Sequence, residues 1–182
     1  MKTLIFNASP RKKGDTAQLL SRLLPRLGGE QMVVDCYRAD IAPCIDCRFC
    51  WQKEGCAQKD GMQAVYRFLQ DCDNVLLASP IYFSELTGRM LDVGSRLQTY
   101  FCARHFRGEN PIPKEKKGAV VLVGGGDGSA DTAAKTARIL LRQMGCTRLH
   151  DAVFSLNTNQ TPAAEDEQAL EGLESIARFF SE

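Results

Sequence analysis

The sequence predicts a doubly wound α/β fold: a three-layer, five-stranded parallel sheet with helices on both faces. Three observations lead there. Short strand-like runs alternate along the chain with stretches of helical periodicity. Two of those runs, NVLLAS (Asn74 to Ser79) and GAVVLV (Gly118 to Val123), are apolar throughout, as strands buried on both faces must be. The composition, 44% hydrophobic and 25% charged over 182 residues, suits one domain spanning residues 1–182 with a sizeable core.

Each element has its own justification. Lys2 to Phe6 is a short β-type run, followed by a loop over Asn7 to Gly14. Leu20, Leu23, Leu24 and Leu27 then recur at i, i+3, i+4 and i+7, one face of a helix. Asp15 with Gln18 is the expected capping box at its start, and Pro25 is expected to kink or end it early. Gln31 to Tyr37 reads as the second strand, Gly61 to Asp71 as the second helix and Asn74 to Ser79 as the third strand. A long third helix is expected from about Thr87 to Phe101, then a polar, proline-containing loop, FRGENPIPKEKK. Gly118 to Val123 is the fourth strand; a glycine-rich turn and a helix ending near Met144 follow. Arg148 to Phe154 is the fifth strand. The last helix, after Pro162, carries Leu170, Leu173, Ile176, Ala177 and Phe180 at helical spacing.

Charge and cysteine usage narrow the function. Lysine plus arginine number 23 against 22 acids, a balance without the electrostatic footprint that phosphate-backbone binding requires, so nucleic acid is not an expected partner. No run reaches the roughly 18 apolar residues of a membrane span, and the N-terminal apolar run is too short for a signal sequence. The expectation is a cytoplasmic protein with no membrane partner. In that compartment thiols stay reduced, which turns attention from structural disulfides to metal binding or redox chemistry. Of the eight cysteines, Cys36, Cys72, Cys102 and Cys146 are dispersed and read as small buried hydrophobes. The other four, Cys44, Cys47, Cys50 and Cys56, crowd into the loop CIDCRFCWQKEGC at 44–56.

Ligands of doubly wound sheets bind at the carboxyl ends of the strands, where the strand order switches. After the first strand, NASPRKKGDT offers the hydroxyls of Ser9 and Thr16, the Arg11 guanidinium and free N–H groups at a helix start, a set suited to a phosphate. Neither G-x-x-x-x-G-K-[ST] nor G-x-G-x-x-G occurs there, so neither a P-loop enzyme nor a Rossmann dehydrogenase is supported. After the third strand, SPIYFSELTG places Pro80, Ile81, Tyr82 and Phe83 where amides and an aromatic can lie against a planar ring. After the fourth, VGGGDGSADT has glycines at 124, 125, 126 and 128, which permit close backbone approach, and Ser129 or Asp131 is placed to cap the next helix.

Together these segments resemble the NADPH-dependent FMN reductase family of the flavodoxin-like fold, whose sheet order is 2-1-3-4-5. C-x2-C-x2-C-x5-C between the second strand and second helix is similar to the compact motif of its iron–sulfur flavoprotein branch. The resemblance covers nearly the whole chain. It implies that Ser9, Arg11, Asp15 and Thr16 hold the phosphate of FMN, that Pro80, Ile81, Tyr82 and Phe83 line the isoalloxazine, and that Gly124, Gly125 and Gly126 approach it. It further implies NAD(P)H as electron donor and a homodimer or homotetramer. Departures stand out. Asp15 replaces the family's usual Asn, and a carboxylate beside a phosphate dianion is unfavourable unless it serves the helix cap. Only Arg96 matches the family's Lys-x-x-x-Asp-Arg pattern, at Leu91, Ser95 and Arg96, and Asp60-Gly61-Met62 replaces Asp-Asp-Met.

Three states are open to the four thiols. As thiolates they suit a [4Fe–4S] cluster, although Ala57 stands where the bacterial ferredoxin motif has proline. Four cysteines also suit a tetrahedral zinc, which usually takes two separated C-x2-C knuckles. Or the loop packs thiols, anchored by Phe49 and Trp51, and binds no metal. A cluster beside FMN would join two-electron and one-electron donors, since a flavin exchanges electrons either way. The expected activity is an FMN-dependent, ping-pong oxidoreductase passing electrons from NAD(P)H or a reduced carrier to a small-molecule acceptor or a redox protein. The alternatives are a cluster-free NAD(P)H:FMN or quinone reductase, an electron carrier without turnover, and a zinc-stabilised binding domain. No side-chain acid, base or nucleophile is required: His105 and His150 are the only histidines, and no G-x-S-x-G elbow is present.

Overall fold

Strands with no polar face belong in the middle of a sheet, and that is where they lie in the computed structural model, which describes residues 1–182. The strands are β1 (Lys2–Asn7), β2 (Glu30–Asp35), β3 (Asn74–Tyr82), β4 (Glu85–Leu86), β5 (Lys116–Val123), β6 (Cys146–Leu149) and β7 (Val153–Ser155). The order is β2-β1-β3-β5-β6, parallel throughout, with β7 also parallel to β5 and β4 folded back antiparallel on β3. This is the flavodoxin-like order, 2-1-3-4-5, with the fifth strand in two pieces. β6 and β7 both pair with β5, and between them His150 turns aside: its ring nitrogens contact the Asp151 carbonyl at 2.6 Å and Ser175 Oγ at 2.9 Å.

The helices are α1 (Asp15–Leu23), α2 (Phe49–Gln52), α3 (Met62–Asp71), α4 (Gly88–Ser95), α5 (Gln98–Phe106), α6 (Asp131–Gln143) and α7 (Glu167–Ser181). α1 and α7 cover one face, where Leu19, Leu23, Leu173 and Ile176 pack against Ile5, Leu76 and Val121. α3 to α6 cover the other, where Leu69, Val93 and Leu141 meet Phe6, Leu77 and Leu122. Alternate residues of β3 and β5 thus feed opposite layers, which is why their sequences are apolar without alternation. Each fully buried leucine contributes about 2 kcal/mol of apolar transfer. No helix is long and apolar enough to cross a membrane.

Pro25 acts as expected: α1 ends at Leu23 and the chain tightens into a 3₁₀ turn over Leu24–Arg26. The expected capping box is corrected. Gly14 is the N-cap, with no side-chain cap, and Asp15 is already helical. Its carboxylate accepts instead from Arg11 Nη2 at 3.0 Å and from the Ala163 N–H at 3.3 Å. Ser129 likewise leaves α6 without a side-chain cap, although its Oγ accepts from the Asp131 N–H at 3.4 Å.

The long third helix is two. The Arg96 and Leu97 N–H groups bond three residues back, to Val93 and Gly94, and the Arg96 carbonyl is captured by the Tyr66 hydroxyl at 2.7 Å. The buried Arg96 guanidinium, 1% exposed, is drawn to Asp60, so the chain cannot continue as a straight helix there. The third strand runs on through Pro80, Ile81 and Tyr82, and Phe83–Ser84 turn it back into β4 with both residues left-handed (φ 51° and 63°).

Candidate active site and cysteine pocket

At the carboxyl edge of the sheet, where the connection reverses between β1 and β3, the loop after β1 faces the end of β3 across a cleft of about 290 Å³. Ser9, Pro10, Arg11, Asp15 and Thr16 form one side; Pro80, Ile81, Tyr82 and Val123 form the other; Gly125, Thr158 and Asn159 close the end. Ser9 is buried and fixes the loop, accepting nothing from the helix: its Oγ donates to the Arg11 carbonyl at 2.8 Å, and its N–H donates to Asn7 Oδ1 at 3.0 Å. Because Gly14 supplies no side-chain acceptor, the first-turn N–H groups of α1 are left for an anion.

Eight of the eleven residues expected around a flavin line this cleft: Ser9, Arg11, Asp15, Thr16, Pro80, Ile81, Tyr82 and Gly125. Phe83 stands at the hairpin tip, fully exposed, and Gly124 and Gly126 do not line the cleft. A Cβ on Gly124 would come within 2.9 Å of Leu156, so that glycine serves chain packing, whereas one on Gly125 would meet the Asn159 amide at 2.9 Å. Thr158 and Asn159 were missed by sequence reasoning. They follow β7 at the same sheet edge, and the rule that drew attention to the other three loops would have found them. Neither histidine lines the cleft.

The four clustered cysteines line a different pocket, which shares no residue with the cleft. Its walls also include Arg96, Thr99 and Cys102 from the α4–α5 corner. Side chains from that corner hold the loop at several points. The Cys44 N–H donates to Ser95 Oγ at 2.9 Å, Thr99 Oγ1 to the Gly55 carbonyl at 2.9 Å, and Arg96 Nη1 to the Ala42 carbonyl at 2.8 Å. Arg96 Nη2 also reaches Cys56 Sγ at 3.5 Å and Asp60 Oδ1 at 3.1 Å. Trp51 stacks on Phe106 with centroids 4.2 Å apart, the anchoring role expected of it. Burial, followed by the neighbouring Cys102 thiol, pushes Cys50 up to about 12. The four thiols share one pocket, yet no three cysteine, histidine or acidic side chains converge as a metal-ligand set. The donor chemistry suits a cluster; the arrangement does not yet form its cage. The dispersed Cys36, Cys72, Cys102 and Cys146 are buried as expected, and burial pushes Cys36 and Cys146 up to about 12 and Cys72 to about 11.

A parallel sheet in this order, with an anion-ready helix start opposite an apolar and aromatic wall, defines the class: a flavodoxin-like flavin oxidoreductase. The sequence model for NADPH-dependent FMN reductase matches residues 1–161, and the chain belongs to that family. An "Iron-sulfur flavoprotein" of Archaeoglobus fulgidus is 30% identical over 156 residues, covering 84% of this chain and 68% of that one. Among solved structures, an FMN-dependent NADH-azoreductase from Bacillus anthracis, in complex with FMN, superposes with a TM-score of 0.71 at 15% identity over 100% of this chain and 99% of its own. An NAD(P)H:quinone oxidoreductase from Methanothermobacter marburgensis gives 0.71 at 17% identity over 99% and 94%. These two likenesses concern the fold.

Proposed function

We propose that the cleft binds FMN non-covalently and that the protein passes electrons from NAD(P)H to a small-molecule acceptor in a ping-pong cycle. The observation that carries this reading is the single cleft in which an uncapped helix start with Ser9, Arg11 and Thr16 faces Pro80, Ile81 and Tyr82. The first set suits a phosphate dianion; the second suits the face of a planar ring. Asp15 adjusts the anion site by sharing Arg11 with it. The family resemblance adds Phe83, on the hairpin tip, and Gly124 and Gly126, on the turn after β5, to the residues proposed to approach the ring, although they lie outside the cleft lining. Bound FMN supplies hydride acceptance and one- or two-electron delivery. The chain's part is to orient the ring and leave one face open to donor and then acceptor, which requires no acid or base from the protein.

The finer reading places a [4Fe–4S] cluster on Cys44, Cys47, Cys50 and Cys56, supported by the name of the Archaeoglobus relative and by the shared thiol pocket. Since the thiols are not gathered into a ligand set, no electron step is routed through them. Assembly as a homodimer or homotetramer rests on the family resemblance.

Anaerobic purification, an absorption spectrum and assays of FMN, iron, sulfide and zinc on one sample test both readings. Flavin bands are expected, with a broad shoulder near ~400 nm and about four irons per chain if the cluster forms. Flavin without iron leaves a plain FMN reductase, stoichiometric zinc a metal-stabilised loop, and failure to bind FMN after reconstitution overturns the proposal. Steady-state NAD(P)H oxidation with a quinone should give parallel double-reciprocal lines; negligible turnover would indicate an electron carrier.

A further inference from the structure

Beyond β7 the chain is tied to two sides of the cleft. The Asn157, Thr158 and Asn159 N–H groups donate to the carbonyls of Gly126, Gly124 and Gly125 at 3.0, 3.0 and 3.1 Å, so this stretch is fastened along the glycine turn after β5. Asn157 takes the left-handed conformation, φ 59°, that asparagine tolerates better than most residues. Four residues past Asn159, the Ala163 N–H is held by Asp15 at the start of α1. Ala163 thus marks the anion end of the cleft and Asn159 the other. Val123, just before the glycine turn, is paired in register with Pro80, which sets Asn159 on the side of the apolar wall.

Most polar side chains of the cleft are engaged within the chain. Ser9 Oγ donates to the Arg11 carbonyl, Thr158 Oγ1 donates to the Gly124 carbonyl, and Arg11 pairs with Asp15. Thr16, Tyr82 and Asn159 are the three that are not. Thr16 lies in the first turn of α1, at the anion end, and Tyr82 belongs to the apolar wall. Asn159 is the one carboxamide in the lining, and Gly125 leaves room for it: a Cβ there would come within 2.9 Å of Nδ2 and 3.0 Å of Oδ1. A fixed backbone therefore presents a donor and an acceptor side by side, a pattern that a phosphate cannot match.

We infer that the Asn159 carboxamide reads the imide edge of the flavin ring, its carbonyl accepting from the ring N3–H and its amide donating to the adjacent ring carbonyl. The inference rests on the reading of the cleft as an FMN site. A carboxamide and an imide are complementary, since each carries one N–H and one carbonyl in the same plane. A site that hydrogen-bonds a ligand N–H rejects analogues lacking it far better than an apolar slot does. Asn159 is thereby a specificity-determining residue for the cofactor ring, selecting flavins over planar rings without an imide.

Fluorescence titration of the full-length chain, freed of flavin, with FMN, riboflavin and 3-methylriboflavin tests this in wild type and in Asn159→Ala. Asn159 is exposed and the variant keeps its backbone N–H, so the fold should be retained, as circular dichroism checks. Wild type should bind riboflavin about tenfold more tightly than 3-methylriboflavin, the worth of one hydrogen bond. Asn159→Ala should abolish that preference, weakening FMN and riboflavin about tenfold while leaving 3-methylriboflavin unchanged. A wild type that binds FMN but shows no preference overturns the inference and leaves the cleft reading standing. Equal weakening of all three ligands would make Asn159 a packing residue, weakening of FMN alone would assign it to the phosphate, and unchanged binding would leave it to solvent; each overturns the inference. Wild type that binds none of the three overturns the cleft reading and the inference together.

Discussion

Asp15 and Asp60 are both acids beside an arginine, and their surroundings give them opposite uses. The Arg11–Asp15 pair spans 3.0 Å with Arg11 largely exposed, so it adds little to stability, and its effect falls on binding. A phosphate at the start of α1 must share Arg11 with that carboxylate. Asp15→Asn keeps an acceptor for the Ala163 N–H, removes the like charge and should tighten FMN binding about tenfold, or ~1.4 kcal/mol. Fluorescence titration measures this, with riboflavin, which lacks the phosphate, as the control; equal tightening of both ligands would place the phosphate elsewhere. Asp60 is instead enclosed. Burial raises its pKa, but the hydrogen bonds from Arg96 and from the Ala42 and Met62 N–H groups outweigh burial and hold it below 3.8. Its stabilisation is therefore present above the ordinary aspartate pKa and lost as pH falls through the lowered folded one. Asp60→Ala strands a buried guanidinium and should cost about 3 kcal/mol in urea unfolding at neutral pH. The gap to wild type should narrow below about pH 4, near the unfolded aspartate pKa. A gap unchanged by acid would refute the assignment.

Among the elements, α4 is the one that joins the cleft loops to the cysteine pocket. Its N-cap, Thr87, is fully buried; Thr87 Oγ1 accepts from the Met90 N–H and donates to the Ala8 carbonyl, each at 3.4 Å. Thr87→Ala should lower unfolding free energy by about 1 kcal/mol, with Thr87→Ser restoring most of it. Equal losses in the two variants would show that the methyl group, not the hydroxyl, matters. At its other end α4 stops because Arg96 bends the chain. Periodicity from Thr87 to Phe101 reads as one helix, since the partners that interrupt it, Tyr66 and Asp60, lie 30 and 36 residues away in sequence. The capping box failed for a related reason: Asp15 and Gln18 have the right spacing, but the carboxylate found Arg11 and the distant Ala163 N–H instead.

Across the whole molecule the sheet divides one core into two layers. Leu76 and Leu77, adjacent and both 0% exposed, feed opposite sides of it. Each substitution to alanine should therefore cost about 3 kcal/mol. Unfolding should remain a single cooperative transition whether followed by circular dichroism or by tryptophan fluorescence at Trp51, beside the outer layer of α5. Transitions that separate in the Leu77→Ala variant alone would mean that the α3–α6 layer unfolds on its own.

The sequence by itself determined the doubly wound class, the two-sided core and three of the loops at the carboxyl edge, because these follow from periodicity and from how a parallel sheet must be covered; the strand order was implied by the family resemblance. It also marked the four-cysteine loop, whose thiols lie together in one pocket. Only the tertiary structure decided which residues share the cleft, bringing Thr158 and Asn159 beside Ser9 and leaving Gly124 and Gly126 outside. Only it placed Cys102, which reads as an ordinary buried hydrophobe, in the wall of the four-cysteine pocket. The physical reason is range. Helices and strands are selected by contacts a few residues apart, whereas the partner of a buried arginine, a carboxylate or a thiol is set by the packing of segments far apart along the chain.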